Sequence, residues 1–116
     1  MPTARIRKPK PAIAKKRSGR ATMVAIIGAG HGGTALMEIF AQDPLVQIVG
    51  IAEINPKAAG IKLAKRLNIP IIPDYRDLLA LENVDLIIDV SGSARVEQAL
   101  EDFHRMGVTI IGGASA

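Results

Sequence analysis

The stretch Met23-Val-Ala-Ile-Ile27-Gly28-Ala-Gly30-His-Gly-Gly33 decides the fold of this chain. Its first five residues are a continuous apolar run, which is typical of a parallel strand buried on both faces. The glycines that follow have the spacing G-x-G-x-x-G, and a helical apolar pattern comes next, with Leu36, Ile39 and Phe40 on one face. A strand, a glycine turn and a helix in this order favour a dinucleotide-binding site.

The glycines of this turn have separate physical roles. Gly28 permits the tight turn out of the strand, Gly30 lets the backbone approach a pyrophosphate, and Gly33 lets the helix pack closely on the sheet. The N-terminus of the helix offers N–H groups and partial positive charge to phosphates, and we include His31 and Gly32 among these contacts. A glycine-rich turn without a ligand, with an exposed His31, is the alternative.

Strands and helices alternate along the rest of the chain. The predicted strands are 23–27, 46–52, 69–72, 84–90 and 108–111, and the predicted helices are 33–42, 55–67, 74–79 and 93–106. Short connections between such elements indicate an α/β fold with an open, doubly wound parallel sheet of five strands. We expect a Rossmann arrangement with the strand order 3-2-1-4-5.

An acidic residue closes the second strand. Glu53 comes 25 positions after Gly28, where a carboxylate accepts hydrogen bonds from both hydroxyls of an adenosine ribose. It repels a 2′-phosphate, so it favours NAD over NADP, although Lys57 softens that repulsion. We also place Asn55 among the cofactor contacts. A solvated acid at the end of a strand is the alternative for Glu53.

A second polar segment follows the fourth strand. Ser91-Gly92-Ser93 lies at the carboxyl rim of the sheet, beside the switch point between the first and fourth strands. Its hydroxyls and N–H groups are placed to contact the second ribose or the nicotinamide. An ordinary helix cap by Ser93 explains the same residues equally well.

The sequence predicts no catalytic set. His104 falls at the opposite end of the sheet, Tyr75 is at the correct rim but far from the nicotinamide, and the last lysine is Lys65. The chain has no cysteine, which excludes disulfides and thiol catalysis, and we predict no metal site. Whether the chain is an enzyme stays open.

The composition is that of one small domain without a membrane span. The chain has 116 residues, of which 48% are hydrophobic and 22% are charged. It lacks the run of about 20 apolar residues that crosses a bilayer and the apolar core of a secretory signal. We expect a cytoplasmic protein.

The basic residues are concentrated at the N-terminus. Residues 1–20 contain eight Lys and Arg and no acid, which leaves seven basic and eleven acidic residues in 21–116, a net charge of −4. We predict a disordered basic tail over residues 1–22 and a dinucleotide-binding domain over 23–116. A nucleic-acid-binding arm and an anchor for anionic lipid are the functional alternatives for this tail. We favour a solvated leader without nucleic-acid binding. Met23 is a second candidate start of translation.

Residues 23–111 resemble the N-terminal NAD-binding domain of the glucose–fructose oxidoreductase and inositol dehydrogenase family. The matching segments are Ile27–Gly30, Val49–Pro56, Asp74–Leu79 and Val84–Ile88. That family has a Glu-Lys-Pro motif after the fifth strand, where this chain has Gly112-Gly113-Ala114. Acylating acetaldehyde dehydrogenases are similar over Gly33–Met37 and Asp85–Asp89, but they use a catalytic cysteine.

The chain also resembles Rossmann modules at the N-terminus of bacterial PAS-type sensor histidine kinases. The glycine turn, the segment Val49–Pro56 and the segment Asp74–Leu79 carry this resemblance. It implies a sensing or regulatory module, with the acidic ribose contact at Glu53.

Two interpretations follow from the sequence. The first is an NAD(H)-binding module without catalysis, which senses or regulates. The second is an NAD-dependent oxidoreductase domain, acting on a sugar, polyol or aldehyde, that needs a further domain or partner chain. Coenzyme A binding and a redox-sensing DNA regulator are weaker alternatives. The open edge at strand five predicts a homodimer or a protein partner there.

Overall fold

A computed structural model describes residues 21–105 and 107–112. The predicted basic tail therefore lies outside the described residues, apart from Ala21 and Thr22, and so do Met106, Gly113 and Ala114. The described chain contains a five-stranded sheet in which every neighbouring pair is parallel, with the order β3-β2-β1-β4-β5. The strands are β1 (Thr22–Ile27), β2 (Val46–Ala52), β3 (Ile71–Ile72), β4 (Leu86–Asp89) and β5 (Thr109–Gly112). The predicted fold class and strand order are confirmed.

Four helices connect these strands. They are α1 (His31–Phe40), α2 (Ile61–Arg66), α3 (Tyr75–Leu79) and α4 (Ala94–Arg105). None of the helices in the described ranges has the length and apolar character that spanning a bilayer requires.

The helices cover both faces of the sheet, and this explains the uninterrupted apolar strands. Val24 and Ile26 of β1 belong to one buried cluster with Met37 of α1 and Ala64 of α2. Their neighbours Ala25 and Ile27 belong to a second cluster with Leu78, Leu79, Val96 and Leu100 of α3 and α4. Because successive side chains of a strand point to opposite faces, both sets must be apolar.

The buried face of α1 differs from the prediction. Met37 is fully buried, whereas Ile39 is 63% exposed. Leu36 and Phe40 pack at the edge of the cluster that contains Met37. The helix begins at His31 rather than Gly33, and Gly33 and Met37, four residues apart, face the sheet together.

The second helix begins six residues later than predicted. Asn55 caps a turn instead, since its Oδ1 accepts from the N–H of Lys57 at 2.9 Å and its carbonyl accepts from the N–H of Ala58 at 3.1 Å. Gly60 then donates its N–H to the carbonyl of Ala29 at 2.6 Å. A side chain at residue 60 would lie 2.8 Å from that oxygen, so contact with the glycine loop fixes where the helix starts.

Strand boundaries also differ from the predictions, by one or two residues at β1, β3, β4 and β5. β1 begins at Thr22, whose N–H donates to the carbonyl of Leu45 at 2.8 Å. β3 has only two residues, although the carbonyl of Pro70 still accepts from the N–H of Ile51 at 2.9 Å. Pro70 has no N–H to give in return, which shortens the ladder at that end.

Candidate functional site

A cavity of about 670 Å³ opens at the carboxyl ends of the strands. It extends from the β3–α3 connection, past the ends of β2 and β1, to the start of α4. Its volume is within the range of about 300–1,000 Å³ that is usual for small-molecule sites. The residues that line it are Ile27, Gly28, Gly30, Ala52, Glu53, Ile54, Pro73, Asp74, Tyr75, Arg76, Val90, Ser91, Ser93, Arg95 and Val96.

The glycine loop forms the floor of this cavity. Gly28 has a φ of +107°, and a Cβ there would lie 3.0 Å from backbone atoms of Val90 and Ser91. A Cβ on Gly33 would collide with the carbonyl oxygen of Gly28. At Gly30, by contrast, no heavy atom of the described chain beyond the two neighbouring residues lies within 4 Å of the Cβ position. Two of the glycines are therefore required for packing, and Gly30 leaves open space inside the cavity.

Helix α1 begins directly after this open space. The Gly30 carbonyl accepts from the N–H of Thr34 at 2.9 Å and from the Thr34 hydroxyl at 2.7 Å. The N–H groups of the first turn have no carbonyl partner within an α-helix and carry partial positive charge. His31 is exposed at this position and does not line the cavity.

Glu53 joins the glycine loop to the end of β2. Its Oε1 accepts from the N–H of Ala29 at 2.7 Å, and its Oε2 accepts from the N–H of Asn55 at 3.0 Å. A carboxylate has about four acceptor positions, so two remain for hydroxyl groups of a ligand. The half-buried carboxylate thus lines the cavity and fixes the loop at the same time.

The segment after β4 is held by Asp89. The carboxylate Oδ1 of Asp89 accepts from the N–H of Ser91 at 3.0 Å and from its hydroxyl at 2.6 Å. The Ser91 oxygen in turn accepts from the N–H of Ser93 at 3.2 Å. Ser93 caps α4, because its Oγ accepts from the N–H of Val96 at 3.3 Å. Both serines still line the cavity.

The opposite wall of the cavity comes from the start of α3. Asp74 caps this helix by accepting from the N–H of Arg76 at 2.9 Å, and the Arg76 guanidinium donates to both Asp74 oxygens at 3.0 and 2.8 Å. These hydrogen bonds lower the pKa of Asp74 and raise that of Arg76. Tyr75 lies half-buried between them. This wall of the cavity therefore carries the ion pair between Asp74 and Arg76 and the phenol group of Tyr75.

The structure brings together half of the predicted cofactor contacts. Gly28, Gly30, Glu53, Ser91 and Ser93 line the cavity, whereas His31, Gly32, Gly33, Asn55 and Gly92 do not. Sequence reasoning missed Ile54, which is 85% exposed, and Arg95. Ile54 directly follows the predicted contact Glu53, and Arg95 comes two residues after the predicted contact Ser93. Their closeness to the carboxyl ends of parallel strands was the available signal.

Comparisons with known proteins identify the family of this chain. Residues 22–111 match the GFO/IDH/MocA oxidoreductase family, whose description is an NAD-binding Rossmann fold. The chain belongs to this family. It is therefore an NAD-binding Rossmann domain of an oxidoreductase family, which confirms the predicted cofactor and the resemblance to the glucose–fructose oxidoreductase and inositol dehydrogenase family.

Curated relatives of this GFO/IDH/MocA domain include two enzymes of Rhodococcus jostii. Acetaldehyde dehydrogenase 7 is 33% identical in an alignment 98 residues long, which covers 77% of this chain and 37% of the relative. Acetaldehyde dehydrogenase 5 is 34% identical in an alignment 85 residues long, which covers 69% of this chain and 26% of the relative. The chain thus spans about a third or less of the length of these relatives.

Solved structures share the fold. GenD2 from gentamicin A biosynthesis, solved in complex with NAD, superposes with a TM-score of 0.67 at 21% identity, over 78% of this chain and 26% of GenD2. A myo-inositol dehydrogenase from Corynebacterium glutamicum gives a TM-score of 0.62 at 24% identity, over 78% of this chain and 27% of that enzyme. The resemblance to sensor kinase modules stays a prediction.

Proposed function

We propose that this domain binds NAD(H) across the cavity at the carboxyl ends of β1, β2 and β4, as the dinucleotide-binding part of an oxidoreductase. The observation that supports this most directly is the contact of Glu53 with the glycine loop. One carboxylate with free acceptor positions lies beside the open space at Gly30 and the start of α1. Ribose hydroxyls and a pyrophosphate need these two features side by side.

The proposed orientation follows from charge and hydrogen bonding. The pyrophosphate lies over Gly30 and the first turn of α1, where N–H groups and the helix dipole favour an anion. The adenosine ribose donates to Glu53. The nicotinamide half extends toward Ser91 and Ser93, which carry hydroxyl groups at the other end of the cavity.

This orientation favours NAD over NADP. Both oxygens of Glu53 already accept backbone N–H groups, and this holds the carboxylate in place beside the ribose. A 2′-phosphate would meet that negative charge at short range, and the repulsion would weaken binding of NADP(H). We expect tighter binding of NADH than of NADPH.

We further propose that catalysis needs groups beyond this cavity. NAD supplies a hydride acceptor or donor, and a reaction of an alcohol or aldehyde also needs a group that moves a proton. Among the described lining residues, Glu53 is bonded to backbone N–H groups and Asp74 to Arg76. The rest of the catalytic set would come from another domain or chain. The similarity to acetaldehyde dehydrogenases makes an aldehyde the first substrate class to test.

A regulatory NAD(H)-binding module is the second candidate function. The carboxylates of Glu53 and Asp74 already accept hydrogen bonds within the chain, which favours ligand binding without catalysis. Contact of a ligand with Glu53 would also act on its hydrogen bond with the N–H of Ala29, and hence on the glycine loop. In that case ligand state would change the conformation of the loop without turnover.

Isothermal titration of NADH and NADPH into the full chain tests the shared part of both candidates. We expect one site per chain, micromolar or tighter binding of NADH, and weaker binding of NADPH. No detectable heat from a folded protein would contradict NAD(H) binding. Turnover of NADH with an aldehyde and keto-sugar panel then separates the candidates: oxidation of NADH supports the oxidoreductase, and tight binding without turnover supports the module.

We also propose that the protein acts in the cytoplasm. We further propose that the open edge of β5 binds a second copy of this chain or another protein. Within the described chain β5 pairs with β4 alone, and Ile111 on this strand is 53% exposed. Light scattering after size exclusion of the full chain tests a homodimer: twice the chain mass supports it, and a monomer at high concentration contradicts it.

A further inference from the structure

The hydroxyl group of Ser91 has a fixed direction. The carboxylate Oδ1 of Asp89 lies 2.6 Å from the Ser91 Oγ and also accepts from the N–H of Ser91 at 3.0 Å. Because a carboxylate oxygen only accepts hydrogen bonds, the Ser91 hydroxyl donates its proton to Asp89. One of the two lone pairs on the Ser91 Oγ accepts from the N–H of Ser93 at 3.2 Å. A single acceptor position therefore remains on this oxygen, and its proton is already used.

Asp89 acts on the cavity only through Ser91. Its side chain is 2% exposed, and its Oδ2 atom is buried without a hydrogen-bond partner among the described residues. Such an atom costs stability, which an apolar residue at the end of β4 would avoid. Ser91, by contrast, is exposed and lines the cavity that we propose for the dinucleotide. The buried carboxylate is out of reach of a ligand, and what it contributes is the orientation of the Ser91 hydroxyl.

Ser93 has the opposite hydrogen-bonding state. Its Oγ accepts from the N–H of Val96 at 3.3 Å, and its hydroxyl proton has no acceptor within residues 21–105 and 107–112. The side chain is half-buried and lines the same cavity. The segment after β4 therefore offers a hydrogen-bond acceptor at Ser91 and a donor at Ser93.

A primary carboxamide is complementary to this pair. Its NH₂ group carries donors, and its carbonyl oxygen is an acceptor. Nicotinamide carries such a group, and the orientation proposed above directs the nicotinamide half of the cofactor toward Ser91 and Ser93. An ionised carboxylate in the same place has acceptors alone, so it would leave the Ser91 oxygen without a donor.

We propose, on the basis of the NAD(H) binding proposed above, that Asp89 is a positioning residue for the nicotinamide end of the cavity. By taking the Ser91 proton, it makes the Ser91 Oγ an acceptor for the carboxamide NH₂, while the Ser93 hydroxyl donates to the carboxamide oxygen. The cavity thus selects an amide over an acid on the nicotinamide ring. This selectivity is separate from the choice between NAD and NADP, which we assign to Glu53.

Isothermal titration of the full chain with three compounds tests the proposal. They are NAD, nicotinic acid adenine dinucleotide, which has a carboxylate in place of the carboxamide, and ADP-ribose, which lacks the nicotinamide ring. We expect the native chain to bind NAD about tenfold or more tightly than the acid analogue. Equal affinity for NAD and the acid analogue would overturn this proposal and leave NAD binding intact. Absence of binding by all three compounds would overturn both proposals.

Ser91→Ala removes the acceptor from an exposed position. It should bring the affinities for NAD and the acid analogue to within about threefold of each other and leave the affinity for ADP-ribose unchanged. An equal loss of ADP-ribose binding would assign Ser91 to a ribose hydroxyl and overturn the carboxamide contact. Thr109→Ala, which removes an exposed hydroxyl on β5 outside the cavity, is the matched control and should keep the native preference.

Two substitutions at Asp89 separate positioning from charge. Asp89→Asn removes the charge but keeps a carbonyl oxygen for the two donors of Ser91, since an NH₂ group cannot accept from them. The preference for NAD should therefore persist. Asp89→Ala frees the Ser91 proton and should reduce the preference as Ser91→Ala does, whereas a merely structural role would change all three affinities together. Loss of the preference in Asp89→Asn would contradict positioning, and this variant and Ser91→Ala decide the matter if Asp89→Ala does not fold.

Discussion

The Oε1 atom of Glu53 accepts a hydrogen bond from the backbone N–H of Ala29 at 2.7 Å, across 24 residues of sequence. The end of β2 is thereby bonded to the glycine loop that follows β1. This bond aligns the proposed ribose contact with the proposed phosphate contact. It also gives Glu53 a structural role that is independent of any ligand.

Replacement of Glu53 tests both roles. Glu53→Ala should weaken NADH binding by about 1.5–3 kcal/mol, because it removes the hydrogen bonds to the ribose and frees the N–H of Ala29. This corresponds to a loss of roughly 10- to 150-fold in affinity, measured by isothermal titration. Glu38→Ala, an exposed acid on α1, is the matched control and should bind as the native chain does. An unchanged dissociation constant for Glu53→Ala would show that this carboxylate does not hold the ribose.

Two glycines of the loop should respond differently to alanine. Gly33→Ala should destabilise the fold by about 1–3 kcal/mol, since its Cβ would collide with the Gly28 carbonyl. Gly30→Ala should cost less stability than Gly33→Ala, because its Cβ would meet nothing within 4 Å beyond its chain neighbours. It should nevertheless weaken NADH binding, since the methyl group would occupy the proposed pyrophosphate space. Urea unfolding and titration of both variants provide the measurements; native NADH affinity in Gly30→Ala would argue against that placement.

A pair of substitutions on α1 checks which face of the helix is buried. Met37→Ala should lower the free energy of unfolding by about 2–5 kcal/mol, because it removes a fully buried side chain. Ile39→Ala should change it by less than about 0.5 kcal/mol, since Ile39 is 63% exposed. The measurement is urea unfolding of both variants. A larger loss for Ile39→Ala would reverse the assignment of the buried face.

The cap of α3 predicts a response to acid. The hydrogen bonds from Arg76 lower the pKa of Asp74 below its ordinary value of 3.8. A carboxyl with a depressed folded-state pKa stabilises the fold above its ordinary pKa, and this contribution is lost as the pH falls through the lower folded-state value. Native protein and Asp74→Ala should therefore differ in stability at neutral pH and converge well below pH 3.8. A difference that persists in strong acid would assign it to something other than the carboxylate.

Much of the fold could be predicted because each strand carries its own signal. The apolar run before Gly28 and the run from Val46 to Ala52 are buried on both faces, so composition alone marks them as central strands. Asp74, predicted as a helix cap, has that role in the structure. The order of the strands was expected from the Rossmann arrangement that the glycine turn and the alternating strands and helices indicate.

Helix boundaries were less predictable because they depend on distant contacts. Asn55-Pro56 has the local features of a helix start, but α2 begins only at Ile61, directly after Gly60, whose N–H is bonded to the carbonyl of Ala29. Met37 replaces Ile39 in the core because Gly33 sets the rotation of α1 against the Gly28 carbonyl. Neither contact is visible in a window of neighbouring residues.

By itself, the sequence determined the parallel sheet and its strand order, since these rest on local periodicity and on the glycine spacing that is typical of a Rossmann arrangement. Only the tertiary structure decided that Glu53 is bonded to Ala29, that Arg95 and the start of α3 share one cavity with the loop, and that Asp89 keeps a buried oxygen beneath α4. The physical reason is that parallel strands bring their carboxyl ends together from segments far apart in the chain. Contacts among those ends depend on packing that no local pattern encodes.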